Sequence, residues 1–299
     1  MQFFGKRRYV VLAFSLLVIF WGSAFSVVKI GLEYSPPLIF AGLRTLIGGL
    51  AMMLVASVWG GNPHLKRDWP VFLLLTAFNV VFFIGFQTSA ILYLPSGTAA
   101  VLVYLQPILV GFLAWLILGE PLSAAKIIGL VLGFSGILAV STGSFSGDIS
   151  PVGVMLGAAS AFFWAVGTVY FKRYEARIST MWAVALPFGI GGLVLTAFGT
   201  VTEPWSSVEF SGTLFVSLAY VSLVGIAAAW LLWFGLIRAG EASRVAAYVF
   251  FVPLVGILIG AVFLGERLAL SLLAGAALIV CGIYLVNRSP SEEDDGPRR

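Results

Sequence analysis

Ten long apolar stretches, separated by short breaks, decide most of what this chain of 299 residues can fold into. A helix that crosses a bilayer needs about 20 mostly apolar residues, and continuous apolar runs favour helices over barrel strands, whose residues alternate. Ten such helices use about 200 residues and leave no room for a soluble domain. The sequence therefore predicts an all-α membrane protein with ten spans. They lie at residues 9–32, 36–59, 69–92, 95–118, 124–142, 151–172, 180–200, 210–232, 245–264 and 270–287.

The composition supports a membrane location. The chain is 60% hydrophobic and only 10% charged, with a mean hydropathy of +1.05. A soluble domain is nearer one quarter charged. Too few polar residues remain to coat a soluble surface, so the apolar excess is expected to face lipid.

The chain contains an internal repeat. Matching residues recur first at a spacing of 143 and later at 146, in the same order in both halves. We therefore predict two related units, residues 9–143 and 151–287, between tails at 1–8 and 288–299. The matches are Trp21 with Trp164, Lys29 with Lys172, residues 47–50 with 190–193, Pro107 with Pro253, and residues 119–120 with 265–266.

The predicted topology follows from the span count and the basic residues. Five spans per unit is an odd number, so the second unit must enter the membrane from the opposite side, which makes an inverted repeat. With the N-terminus inside, 14 of the 17 basic residues are cytoplasmic, whereas only Lys29 and Arg267 lie outside and Arg44 lies within a span. Both termini are then cytoplasmic. The last twelve residues are expected to be disordered. We also expect the first span to be retained, and the protein to lie in a bacterial inner membrane.

Several classes of chemistry are excluded by what the sequence contains. One cysteine, Cys281, and one histidine, His64, cannot build a zinc site of histidines and cysteines. There is no phosphate-binding loop of the Walker type, so ATP is not the direct energy source. No acidic residue is predicted deep inside a span, which favours facilitated diffusion or coupling by an unusual group. We expect no enzyme activity, cofactor, metal or nucleic-acid partner.

Aromatic and amide side chains within the spans are the candidate substrate-binding residues. They are Trp21 and Trp164 deep in the first and sixth spans, Asn79, Phe83 and Gln87 on one face of the third, Tyr104 in the fourth, and Tyr248 in the ninth. Aromatic walls with a few oriented amides are typical of a small-molecule pocket. The same residues could instead pack or hydrogen-bond between helices.

Three further features have both a functional and a structural interpretation. Pro107 and Pro253 interrupt equivalent spans and either form a pair of gating kinks or are merely tolerated in the bundle. Arg44 either meets a substrate carboxylate or, as we favour here, snorkels outward or pairs with Glu33. Rows of glycine near residues 129–136 and 275–282 indicate close helix packing, or a contact in a homodimer.

Short motifs in both halves point to a known family. Residues 20–25 read Phe-Trp-Gly-Ser-Ala-Phe, Gln106-Pro107 lies in the fourth span, a Gly-Glu-Pro turn covers residues 119–121, and Val-Pro and Gly-Glu recur at 252–253 and 265–266. This pattern resembles the EamA domain. Two such domains in ten spans resemble the drug/metabolite transporter superfamily, and in overall character the chain is similar to exporters of aromatic and other neutral amino acids.

The resemblance implies a secondary carrier that exports small neutral metabolites by alternating access at a central cavity. Its expected partners are a small solute, with aromatic and other hydrophobic amino acids as the leading class, and membrane lipids. A drug or another metabolite class is the alternative within transport. A channel or a membrane-embedded enzyme is the alternative outside it.

Overall fold

The structure is a computed structural model that describes residues 7–94, 96–141, 150–264 and 271–288. Within these ranges all regular secondary structure is helical. The first half contains α1 (Arg7–Gly31), α2 (Pro37–Trp59), α3 (Leu65–Leu75), α4 (Phe83–Ala90), α5 (Ser96–Val103), α6 (Gln106–Leu118) and α7 (Ala124–Val140). The second half contains α8 (Pro151–Tyr174), α9 (Thr180–Thr202), α10 (Gly212–Tyr220), α11 (Ala229–Ala239), α12 (Ala242–Ala247), α13 (Phe251–Leu264) and α14 (Ser271–Asn287).

Seven continuous helices in the described part of the chain are long and apolar enough to cross a membrane. Three shorter apolar helices, Ala124–Val140, Ala242–Gly256 and Leu272–Asn287, occupy the remaining predicted positions. The prediction of an all-α membrane protein is confirmed, while the count of ten spans stays a prediction. The tail residues 1–6 and 289–299, the second Gly-Glu turn at 265–266 and Arg267 lie outside the described residues.

The outer surface of the bundle is apolar. Leu54, Met155 and Leu273 each leave more than 70% of their surface uncovered. Exposed apolar side chains in such number would be unfavourable in water but not against lipid tails. The faces that carry them are therefore suited to contact lipid.

Helices α2 and α9, which are equivalent in the repeat, pack directly on each other through glycines. The backbone of Gly49 lies against that of Gly189, and Gly192 lies against Leu46. The two helices run antiparallel, because residue numbers rise along one as they fall along the other. At the 143-residue spacing, Gly192 is the counterpart of Gly49 and Gly189 is the counterpart of Leu46. The two contacts are therefore equivalent under the repeat.

Helices α7 and α14 form a second pair of the same kind. A methyl group added to Gly129 would lie 2.5 Å from the carbonyl oxygen of Gly282, and one added to Gly136 would lie 2.7 Å from that of Gly275. At the 146-residue spacing, Gly275 is the counterpart of Gly129 and Gly282 is the counterpart of Gly136, so these two contacts are also equivalent under the repeat. The predicted glycine rows thus pack within the chain, where each row is covered by the other. The homodimer stays a prediction and gains no support from these rows.

The fourth and ninth predicted spans are both interrupted. Tyr104 and Leu105 form a turn between α5 and α6, and a 3-10 turn, Tyr248–Phe250, separates α12 from α13. Pro107 and Pro253 follow these breaks within a few residues. Proline has no N–H to donate and its ring clashes with the carbonyl four residues earlier, so a continuous helix is disfavoured at both places.

The third and eighth predicted spans each contain a π-helical segment. Thr76–Phe82 joins α3 to α4, and Val221–Ala228 joins α10 to α11. The two segments begin 145 positions apart, which lies between the two spacings of the repeat. Such wide turns are rare and are frequent at functional sites. Their presence at equivalent places indicates that a functional site lies in the interior between these helices.

The Gly-Glu-Pro turn shapes the connection from α6 to α7. Gly119 ends α6 in the left-handed region, with a φ of 72°, which glycine adopts without strain. Pro121 cannot continue the helix, and the Ser123 side chain accepts the Lys126 N–H to start α7. This geometry turns the Glu120 side chain toward α12.

Candidate functional site

An internal cavity of about 560 Å³ lies between the two halves of the chain. Its walls come from α1, α2, α4 and α5 in the first half, and from α8, the π segment Val221–Ala228, α11 and the ninth-span region in the second. The lining is predominantly apolar. This size and character fit a site for a small organic solute.

Five of the seven sequence-predicted binding residues line this cavity. They are Trp21, Phe83, Gln87, Tyr104 and Trp164. The structure therefore brings together side chains from α1, α4, the turn after α5, and α8.

The other two predicted binding residues lie elsewhere. Asn79 is fully buried, and its side-chain amide packs against Gly167 of α8, where both of its polar atoms lack a hydrogen-bond partner within the described residues. Tyr248 stacks on Phe14, with ring centroids 4.1 Å apart. Pro107 and Pro253 are also absent from the cavity wall, although Val252 belongs to it.

Trp21 and Trp164 meet at the base of the cavity. Their ring centroids are 5.6 Å apart and the rings are nearly perpendicular, an arrangement that aromatic pairs favour. Trp230 and Trp233 of α11 lie 5.8 and 5.6 Å from Trp21, and Phe83 stacks on Trp164 at 4.8 Å. We call these five aromatic residues the tryptophan cluster; all of them except the fully buried Trp233 line the cavity.

One hydrogen bond fixes the orientation of Trp21. Its Nε1–H donates to the carbonyl of Gly225 at 3.2 Å, inside the π segment of the eighth span. A nearby hydroxyl pair, Ser23 and Tyr220, joins the same two spans at 2.8 Å. The first helix is thus bonded to the second half at the level of the cavity.

Trp230 is a cavity residue that the sequence pattern does not single out. It lines the cavity and is only 3% exposed. The repeat gives no signal for it, because the residue 146 positions earlier is Ile84. The available signal is the Trp-Leu-Leu-Trp spacing at residues 230–233, which places two indoles on one helical face.

Arg44 lies on the cavity wall. Its Nε is buried without a hydrogen-bond partner, and among the described residues it forms no ion pair with Glu33. The predicted pairing with Glu33 is therefore wrong, while outward snorkelling stays a prediction.

The neutral polar groups of the cavity are few. Ser26, Gln87, Thr88 and Tyr104 are on its wall, together with the charged Lys29 near the end of α1. No aspartate or glutamate lines the cavity in the part of the chain that is described. The site is therefore apolar and aromatic, with positive but no negative charge among those residues.

The cavity lies toward one end of the bundle. Its wall includes Lys29 near the end of α1, Leu32 just after that helix and Pro37 at the start of α2. At the other end, where α6, α8 and α11 finish, polar contacts join the two halves. We call this set of contacts the closed end.

Glu120 is the centre of the closed end. Its carboxylate accepts the N–H groups of Ala242 at 2.6 Å and Ser243 at 3.1 Å, as well as the Ser243 hydroxyl. Lys126, which is also buried, donates to Glu241 at 3.0 Å and to Ser243 at 2.9 Å. The Glu120 carboxylate thereby satisfies free N–H groups at the start of α12.

Further ion pairs reinforce the closed end. Asp68, fully buried at the start of α3, pairs with Arg67 at 2.7 Å and with Arg177 at 3.0 Å. Lys172 pairs with Glu175 at 3.0 Å and so ties the end of α8 to the turn that follows it. The sequence does not reveal that Asp68 is buried between helices.

The helical fold and the aromatic cavity define a multi-pass membrane protein built to hold a small solute. The model of the EamA-like transporter family matches residues 8–142 and 151–288. The chain therefore belongs to the EamA-like transporter family, and the resemblance inferred from its motifs is confirmed.

Individual relatives agree with this assignment. The chain is 45% identical over 281 residues to the uncharacterized transporter YvbV of Bacillus subtilis, covering 94% of this chain and 92% of that protein. It is 32% identical to proteins of Salmonella typhimurium and Escherichia coli named probable amino-acid metabolite efflux pump, with 90% of this chain and 92% of the relative covered in each case. A crystal structure at 21% identity shares the fold, with a TM-score of 0.82 over 94% of this chain and 97% of that one.

Proposed function

We propose that this protein is a secondary transporter that exports small neutral metabolites, chiefly aromatic and other hydrophobic amino acids. The observation that carries this proposal is the tryptophan cluster at the base of a cavity of about 560 Å³. A cavity of this size holds a molecule as large as tryptophan, and flat indole walls stack against aromatic rings. The efflux-pump names of two relatives, given to proteins at 32% identity, support an amino-acid substrate.

The proposed binding site consists of Trp21, Phe83, Gln87, Tyr104 and Trp164, to which Trp230 is added. Trp21 and Trp164 form the aromatic wall, and Gln87 and Tyr104 supply hydrogen bonds. Asn79 and Tyr248 are assigned to helix packing because both lie outside the cavity wall.

The proposed mechanism is alternating access in an inner membrane, with ten spans and both termini in the cytoplasm. The exchangeable contacts of the two glycine-packed helix pairs support an inverted repeat, in which equivalent helices run in opposite directions. In this orientation the cavity opens to the outside and the closed end faces the cytoplasm. The helix breaks before Pro107 and Pro253 are proposed hinges, because interrupted helices there can bend at little cost.

The decisive test is transport by the purified chain in proteoliposomes, with a panel of labelled amino acids and with and without a pH gradient. We expect saturable uptake of tryptophan and phenylalanine that is stimulated by unlabelled substrate on the opposite side. Transport of hydrophobic drugs but not of amino acids would transfer the assignment to the alternative substrate class. Flux that does not saturate and shows no such stimulation would indicate a channel.

A further inference from the structure

A partly buried cation on the wall of the substrate cavity has no protein partner among the described residues. Arg44 lies in α2, its Nε is buried, and no described residue accepts a hydrogen bond from its guanidinium. A charged side chain inside a membrane is costly unless it is paired or solvated. The described part of the chain thus keeps a cation at this depth without supplying a counterion.

The acidic residue that contacts α2 is used for something else. Glu203, at the end of α9, accepts the N–H groups of Leu38 at 3.0 Å and Ile39 at 2.8 Å. Both of its carboxylate oxygens therefore serve the start of α2. No aspartate or glutamate lines the cavity within the described ranges, so those residues offer Arg44 no anion.

We propose that Arg44 binds the carboxylate of the transported solute, an inference that rests on the proposed function of this cavity. A guanidinium presents N–H groups in a planar fork that matches both oxygens of a carboxylate. Trp21, Trp164 and Trp230 lie on the wall of the same cavity and offer a surface for the apolar part of the same molecule. The site then takes an aromatic or apolar carboxylate.

The amino group of an amino acid finds only neutral acceptors among the described residues of this cavity. Oxygen atoms come from the side chains of Ser26, Gln87, Thr88 and Tyr104, whereas the charged groups on the wall, Arg44 and Lys29, are both positive. Recognition therefore depends on the carboxylate and not on the ammonium. A solute without the amino group is expected to bind at least as well as the amino acid, and an amine without the carboxylate is expected to bind poorly.

Three ligands of one shape separate these contributions. They are phenylalanine, 3-phenylpropionate, which lacks the amino group, and phenethylamine, which lacks the carboxylate. Trp21, Trp164 and Trp230 lie on the cavity wall, so binding can be followed by a change in tryptophan fluorescence of the purified full chain. None of the three ligands contributes indole fluorescence, and the measurement does not require transport.

The test compares the wild-type chain with Arg44→Gln, Arg44→Lys and Arg288→Gln. Loss of hydrogen bonds to a charged group predicts that Arg44→Gln binds phenylalanine and 3-phenylpropionate about ten- to a hundredfold more weakly. Its binding of phenethylamine should be unchanged or stronger, because a repelling charge is removed. Arg44→Lys should lose part of the carboxylate preference, and Arg288→Gln, which alters an exposed residue after α14, should match the wild type.

Each outcome bears on the proposal. The proposal would be overturned if Arg44→Gln lost the same affinity for all three ligands, or if the wild-type chain bound phenethylamine more tightly than the two carboxylates. A correctly folded Arg44→Gln protein is shown by a single gel-filtration peak, and removing an unpartnered, partly buried charge should not lower the yield. If the wild-type chain fails to transport phenylalanine yet binds 3-phenylpropionate through Arg44, the carboxylate site stands and the amino-acid export proposal fails.

Discussion

The backbone of Gly49 in α2 lies directly against that of Gly189 in α9, with no room between them for a side chain. The repeat turns this contact into the one between Gly192 and Leu46. The two halves are thus joined by a close antiparallel contact between α2 and α9. The cavity also lies between the two halves, and α2 contributes to its wall.

Replacement of Gly49 by alanine is expected to destabilise the protein. The added methyl group would collide with backbone atoms of Phe188 and Gly189, so the helices must separate. Overpacking of this kind typically costs about 1–3 kcal/mol. The measurement is the melting temperature in detergent, with Gly212→Ala as the control because nothing lies within 4 Å of a methyl group there. Equal melting temperatures for the two variants would contradict this packing.

Replacement of Trp21 or Trp164 by alanine should selectively weaken the binding of aromatic substrates. Loss of an aromatic contact costs about 1 kcal/mol beyond lost area, which is about a fivefold loss of affinity. We expect tryptophan transport to fall more than threonine transport when both are normalised to folded protein. Trp59→Ala, at a surface position that is 71% exposed, is the matched control. Equal losses for both substrates would leave the two indoles with a structural role only.

Glu120→Gln is expected to open the closed end. The carboxylate accepts from Ala242 through one oxygen and from Ser243 through the other, whereas the amide has a single acceptor oxygen and places an NH2 group at the second position. Each 1.4 kcal/mol lost from this contact shifts the balance of conformations about tenfold.

The substitution Ile237→Cys, in a chain that also carries Cys281→Ser, reports this opening. Ile237 is fully buried, and its backbone carbonyl accepts a hydrogen bond from Lys172. Alkylation of this cysteine should be about tenfold faster with Glu120→Gln. The control Glu209→Gln, at an exposed position, should leave the rate unchanged. An unchanged rate with Glu120→Gln would remove Glu120 from gating.

Downhill transport should continue when the proton gradient is collapsed. No carboxylate lines the cavity among the described residues, so that part of the chain lacks the usual intramembrane proton relay. The experiment measures counterflow of labelled phenylalanine in proteoliposomes at equal pH, with and without a protonophore. Strict dependence of net flux on an imposed pH gradient would refute the prediction.

Reporter fusions at the two ends of the chain test the proposed topology. Both reporters should be active in the cytoplasm, because 14 of the 17 basic residues are then on that side. A fusion after residue 62, between α2 and α3, should also report the cytoplasm, since two spans precede it. A periplasmic signal from either terminus would exclude the ten-span arrangement.

The repeat makes part of the site predictable. Equal spacing singles out Trp21 and Trp164, and the structure places them in contact. Asn79 does not share the cavity face with Phe83 and Gln87, because their grouping assumes regular α-helical spacing. The π segment Thr76–Phe82 bonds each residue to the fifth along the chain, and this change of pitch rotates Asn79 toward α8.

Other contacts depend on packing that spacing cannot reveal. The sequence places Arg44 within a span but not on a face, because helical position alone does not show which neighbour meets it. Trp230 has an aliphatic counterpart in the first half, so the repeat hides it. Glu120 is expected in a loop, and only the approach of α12 explains its burial.

The two contacts between α7 and α14 have an evolutionary consequence. Gly129 meets Gly282, Gly136 meets Gly275, and the repeat exchanges one pair for the other. Each half therefore carries both sides of the joint in its own sequence. A gene of half this length, translated into subunits that insert in opposite directions, would produce two identical partners able to assemble without any second protein.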